Sequence, residues 1–140
     1  MSHRMIGEQP QPALAVLVES VAGPLLMAHP APVCLEMEVD TNLRSAVDSP
    51  SLTTLIESLV RQSLDEMPKG GDLTITACDT GSHLELEIAD SGSDVSERAC
   101  SLPMVAAAMG VEISWQNCPQ GGAAATIKLP GSQQALRRAA

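Results

Sequence analysis

The residues with chemistry to offer gather in the middle of the chain. Asp90-Ser91-Gly92-Ser93-Asp94 follows Leu84-Glu85-Leu86-Glu87-Ile88, so two carboxylates and a glycine stand where an alternating strand hands over to a loop of the kind that receives ligands. Taken alone, those residues also make an ordinary turn, because Asp, Ser and Gly dominate turns. Upstream, Ser58, Gln62, Asp65 and Glu66 form a polar stripe beside an apolar one, either a solvated flank or the wall of a site. Cys34, Cys78, Cys100 and Cys118 contain no C-x-x-C pair and no nearby His, which argues against zinc and reads as buried small residues in a reducing compartment. His3, His29 and His83 fall in a tail, a breaker cluster and a strand, without a partner that would make any of them a base or ligand.

The elements that must hold these groups follow from periodicity. Leu14, Leu17, Val18, Val21 and Leu25 predict a helix from about 12 to 27, kinked or ended early by Gly23-Pro24. After the breaker His29-Pro30-Ala31-Pro32, Val33 to Asp40 alternates as a half-buried strand, and Leu43 to Val47 reads as a weaker one. Asp48 or Ser49 caps a central helix with Pro50 in its first turn and Leu52, Leu55, Ile56 and Leu59 on its apolar face. Pro68-Lys69-Gly70-Gly71 ends it. Leu73 to Ala77 and Leu84 to Ile88 then form a hairpin. Cys100 to Met109 predicts an Ala-rich helix closed by Gly110, and Val111 to Trp115 with Ala125 to Leu129 a last hairpin. The expected fold class is α+β: a two-layer sandwich, one mixed sheet with about three helices on a single face.

The bulk numbers set limits. The chain has 140 residues, enough for one domain with a real core, and 44% hydrophobic residues. Trp115 is its one aromatic residue, so the core is aliphatic and no platform exists for stacking bases. A net charge of −9 also argues against nucleic acid, whose phosphates need Lys and Arg. No apolar run reaches the ~20 residues that span a bilayer, and the N-terminus lacks a signal-like apolar stretch, so the expected location is cytoplasmic. Residues 1–11 and 131–140 are expected to be flexible tails around a domain at 12–130.

The order of elements and several motifs resemble the ATPase domain of histidine kinases and its relatives, the Bergerat-fold ATPases that include gyrase and heat-shock chaperones. Met67-Pro68-Lys69-Gly70-Gly71-Asp72-Leu73-Thr74-Ile75 is similar to the family's M-P-x-G-G-x-L-x-I. Ser58 to Ser63 takes the place of N-L-L-x-N-A, Asp90 to Asp94 that of D-x-G-x-G, Ala99 to Val105 that of G-L-G-L-x-x-V, and Pro119 to Pro130 that of the closing hairpin. The resemblance spans about Leu14 to Pro130.

It implies ATP and Mg2+ as ligands, with Asp90 receiving the adenine amino group, Gly92 in the same box, Gln62 at the magnesium position and Ser58 one turn earlier, where one branch has a catalytic Glu. Asp94 and Ser101 stand where glycines would cradle phosphates. The departures point away from catalysis. Gln62 is one methylene longer than Asn, and magnesium demands near-octahedral geometry. Ser58 has no useful acid–base pKa. Ala99 and Ser101 replace glycines that let N–H groups approach phosphate. Only Asp94 to Arg98 lie between the two boxes, leaving no lid, and Arg98 is the lone nearby cation among Asp65, Glu66, Asp90, Asp94 and Glu97. The implied function is a stand-alone histidine-kinase-type ATPase domain in bacterial-type signal transduction, its nucleotide site decayed. It works as a regulatory module that docks on a signalling partner (a kinase or response regulator) or on itself. The alternative is an ATP-using kinase subunit, of the histidine-kinase or anti-sigma serine-kinase type. A phosphotransfer protein is disfavoured because His3 has no paired helical hairpin around it.

Overall fold

The capping signal at Asp48 works as expected. In the computed structural model, which describes residues 12–131, Asp48 accepts a hydrogen bond from the Ser51 backbone N–H and Pro50 sits in the first turn of helix α2, Ser49–Asp65. That bond holds the Asp48 carboxyl below its ordinary pKa, the backbone N–H of Ser51 contributing most. A carboxylate with a lowered folded-state pKa stabilises above its unfolded value and loses that contribution as pH falls through the folded one. Wild type and Asp48→Ala should therefore differ in thermal midpoint at pH 7 and converge well below pH ~3.9. A pH-independent difference would contradict the cap.

Helix α1, Leu14–Ala28, lies beside α2. It runs through Gly23-Pro24 instead of ending there, since Leu25 and Leu26 beyond the proline still pack on the core. Strand β1, Val33–Val39, pairs in parallel with β2, Gly71–Asp79; β2 is antiparallel to β3, Leu84–Asp90. Strands β4, Glu112–Asn117, and β5, Ala123–Leu129, complete a mixed sheet of order β1-β2-β3-β5-β4. Alternation decides the faces: Leu73, Ile75, Leu86, Ile88, Ile127 and Leu129 are buried under Leu52, Leu55, Ile56 and Leu59 of α2 and Leu14 and Val18 of α1. The architecture is α+β, the Bergerat type of sandwich.

Three local expectations fail. Leu43 to Val47 is not a strand. Ser45 alone bridges Gly131, and its hydroxyl donates to the Pro130 carbonyl, so Gly131 is buried against the domain. The Ala-rich helix is short: Pro103 blocks any start at Cys100 and stands as the N-cap of α3, Met104–Met109, which Gly110 closes in the left-handed region. The cysteines are not core fillers. Cys34 and Cys78 are exposed on the strand face away from the helices, and Cys100 and Cys118 are half-buried; all four are free thiols. Residues 1–11 with His3, and 132–140, lie outside the described residues. No helix among the described residues is long and apolar enough to cross a membrane.

Candidate nucleotide site

Strand β3 ends by carrying Asp90 into the protein. Its alternation puts Leu84, Leu86 and Ile88 on the helix side, and Asp90 follows on that side, 4% exposed. A carboxylate placed there must be paired, because an isolated buried charge is far too costly. Arg98 supplies the pair. Its Nη1 donates to Oδ2 at 2.8 Å and its Nη2 to Oδ1 at 2.7 Å, while the Gly92 backbone N–H donates to Oδ1 at 2.9 Å. Both side chains are shut off from water, Arg98 at 1% and Asp90 at 0% exposure. The hydrogen bond to Asp90 pushes the Arg98 pKa further up, so the guanidinium stays charged.

The same arginine closes its own loop. Arg98 Nε donates to the Ser93 carbonyl at 3.1 Å, and Nη2 reaches that carbonyl as well. A 3-10 turn at Val95–Glu97 shortens the path, and the Val95 N–H donates to Asn117 Oδ1 of β4 at 2.7 Å. Residues 93–98 are thus tied to β3 and to β4 at once. Gly92 lies flush on the end of α2: a Cβ there would stand 2.6 Å from the Glu66 carbonyl oxygen. Across the strand end, Ser91 Oγ accepts from the Asp72 N–H. Nearby, burial pushes the Cys118 thiol up, with Asp90 and Glu87 adding to the effect, so it is protonated at neutral pH.

The other residues singled out by the sequence form a second group. Gln62 on α2 donates from Nε2 to the Ser101 carbonyl at 3.1 Å, fixing the segment before α3. Its Oε1 is buried, with no hydrogen-bond partner among the described residues. Ser58 is half-buried one turn earlier; Asp94 and Ser101 are exposed. Asp90 and Gly92 are therefore brought together, as are Gln62 and Ser101. His29, expected to be neither base nor ligand, donates to the Met67 carbonyl at 2.8 Å and ties the chain before β1 to the end of α2.

The set fits Mg-ATP poorly. An adenine amino group needs a carboxylate oxygen facing an open pocket, and both Asp90 oxygens are buried against a guanidinium. A magnesium ligand needs an accessible oxygen, and that of Gln62 is buried. Arg98 is the residue of this corner that sequence reasoning placed only by sign. The available signal was position: it is the sole Lys or Arg between Lys69 and Lys128, eight residues after Asp90.

No family model and no curated protein sequence matches the chain. Solved structures do. The mycobacterial sensor histidine kinase MprB is similar at 18% identity and TM-score 0.71, over 85% of this chain and 95% of that one. The histidine kinase AdeS of Acinetobacter baumannii is similar at 15% identity and TM-score 0.69, over 88% of this chain and 67% of that one. Full-length ShkA in complex with AMPPNP is similar at 17% identity and TM-score 0.71, where the 87% of this chain that aligns corresponds to 31% of that protein. The chain has the histidine-kinase-like ATPase fold.

Proposed function

We propose that this chain is a histidine-kinase-type ATPase domain whose nucleotide site is closed from within, and that it serves bacterial-type signal transduction as a regulatory or partner-binding module. The observation that carries this reading is the buried bidentate pair of Arg98 with Asp90. The one carboxylate suited to an adenine amino group is already neutralised by the chain itself. Gln62, engaged with Ser101, and a loop reduced to residues 93–98 support the same reading.

The second reading is an ATP-using kinase subunit. What favours it is Asp90 and Gly92 standing at the strand end, on a fold shared with ShkA, which was solved with AMPPNP. It requires Arg98 to leave Asp90 and a carboxylate to go unpaired until adenine arrives.

Thermal unfolding with and without millimolar Mg-ATP or Mg-ADP separates the two. A micromolar site at about 100 to 1,000 times its Kd would add about 2.7–4.1 kcal/mol of stability. The closed-site reading expects no shift with either nucleotide. A saturable shift of that size, abolished by Asp90→Asn, would establish the kinase reading instead.

A further inference from the structure

The face of the sheet away from the helices is uncovered among the described residues, and it is strongly one-signed. Strand alternation and register place Glu36 and Glu38 of β1, Asp72 of β2, Glu85 and Glu87 of β3 and Glu112 of β4 on it. Lys128 of β5 is the one cation there among the described residues, 3.5 Å from Glu112. Glu38 and Glu87 flank Thr76 from its two neighbouring strands. Among the described residues no Lys or Arg forms an ion pair with Glu36, Glu38, Asp72 or Glu87. Where this face meets the 118–122 turn, a cleft of about 410 Å3 opens over Thr74 and Ala89, walled by Asp72, Cys118 and Gln120.

These features select a partner by charge. A second copy of a chain with net charge −9 would set carboxylates against carboxylates. A basic protein surface is complementary. Lys and Arg also carry aliphatic stems that lie along small side chains while the head group reaches an anion, and Thr74 and Ala89 beside Asp72 offer that combination. We propose that the open face docks a basic protein segment, with one Arg or Lys seated in the cleft against Asp72. This rests on the partner-binding reading above and names the chemistry of the partner.

The test uses the full chain and fluorescein-labelled octa-arginine as probe, followed by anisotropy. Wild type is compared with two triple variants of equal net charge. One removes carboxylates from the face (Glu36→Gln, Glu38→Gln, Glu87→Gln); the other removes them elsewhere (Glu19→Gln, Asp65→Asn, Glu97→Gln). The face variant should bind about tenfold or more weakly, the distal variant within about threefold of wild type, and both affinities should fall as salt rises. Bound peptide should also slow maleimide labelling of Cys34 and Cys78, which are exposed on the same face. Equal weakening of the two variants, saturating binding that leaves both thiols unprotected, or no binding by wild type overturns the proposal. A nucleotide-induced thermal shift bears on the closed site alone and leaves this result standing.

Discussion

Replacing Arg98 with Met lowers the stability of the protein by about 3–5 kcal/mol, the loss typical when one partner of a buried ion pair is removed. For a chain of 140 residues this moves the thermal midpoint down by roughly 10–20 °C. The size of the effect comes from what remains. Asp90 would be left at 0% side-chain exposure with no cation beside it and the Gly92 N–H as its one remaining donor from this set. Arg98→Lys should rescue little, because a single ammonium cannot span both carboxylate oxygens and the Ser93 carbonyl. Adding Asp90→Asn to Arg98→Met should recover most of the loss, since Asn removes the charge and keeps an oxygen for Gly92. Urea unfolding of wild type and these three variants checks this directly. An Arg98→Met protein within about 1 kcal/mol of wild type would mean that the pair is not what holds this corner.

Gly122→Ala is the second severe change. Gly122 has φ +92°, and a Cβ there would lie 1.9 Å from the Asp90 carbonyl oxygen and 2.8 Å from the Ser91 Cα. Both are backbone atoms of the strand end that holds the pair, so neither can swing aside as a flexible side chain does. Left-handed backbone costs about 1–2 kcal/mol for a residue with Cβ, and forced overpacking about 1–3 kcal/mol more. Gly121 is the internal control. It shares the turn and has φ +103°, but nothing lies within 4 Å of its Cβ position. Gly121→Ala should carry only the conformational cost, and thermal melts should place Gly122→Ala clearly below it. Equal midpoints would show that the β4–β5 turn does not press on Asp90.

Much of the fold was legible because its signals are local. Asp48 with Pro50 starts a helix for reasons contained within one turn. Alternation in Leu84 to Ile88 decides which face is buried before any partner is known. Met67 to Ile75 combines a helix stop, two glycines and a strand start, and Gly70 and Gly71 both have positive φ. The failures are equally physical. The small apolar run Ala106-Ala107-Ala108 favours helix, yet Pro103 decides where the helix expected over Cys100 to Met109 can begin. Leu43 to Val47 alternates like a strand, but its one bridge among the described residues is that of Ser45 to Gly131.

The candidate residues were legible in their placement along the fold and not in what they engage. Asp90, Gly92, Gln62 and Ser101 could be placed by motif spacing, and the sign of Arg98 could be noted. That Arg98 turns inward onto Asp90 depends on the 3-10 turn at Val95–Glu97 and on Asn117 holding the Val95 N–H, contacts between segments 22 residues apart. No local pattern carries such a contact. The orphan Oε1 of Gln62 is equally nonlocal, since it follows from how Ser101 is presented by the chain leading to Pro103.

Arg98 grips both oxygens of the Asp90 carboxylate, and the closed-site proposal holds that it keeps them when nucleotide is present. The side-chain Nε–H resonance of Arg98 in 15N-labelled protein reports on this occupancy, because that proton is donated to the Ser93 carbonyl and the same guanidinium grips Asp90. Titrated with Mg-ATP to millimolar concentration, the resonance should stay protected from exchange and unmoved. A saturable shift of that resonance at micromolar nucleotide, with loss of its exchange protection, would contradict the closed site.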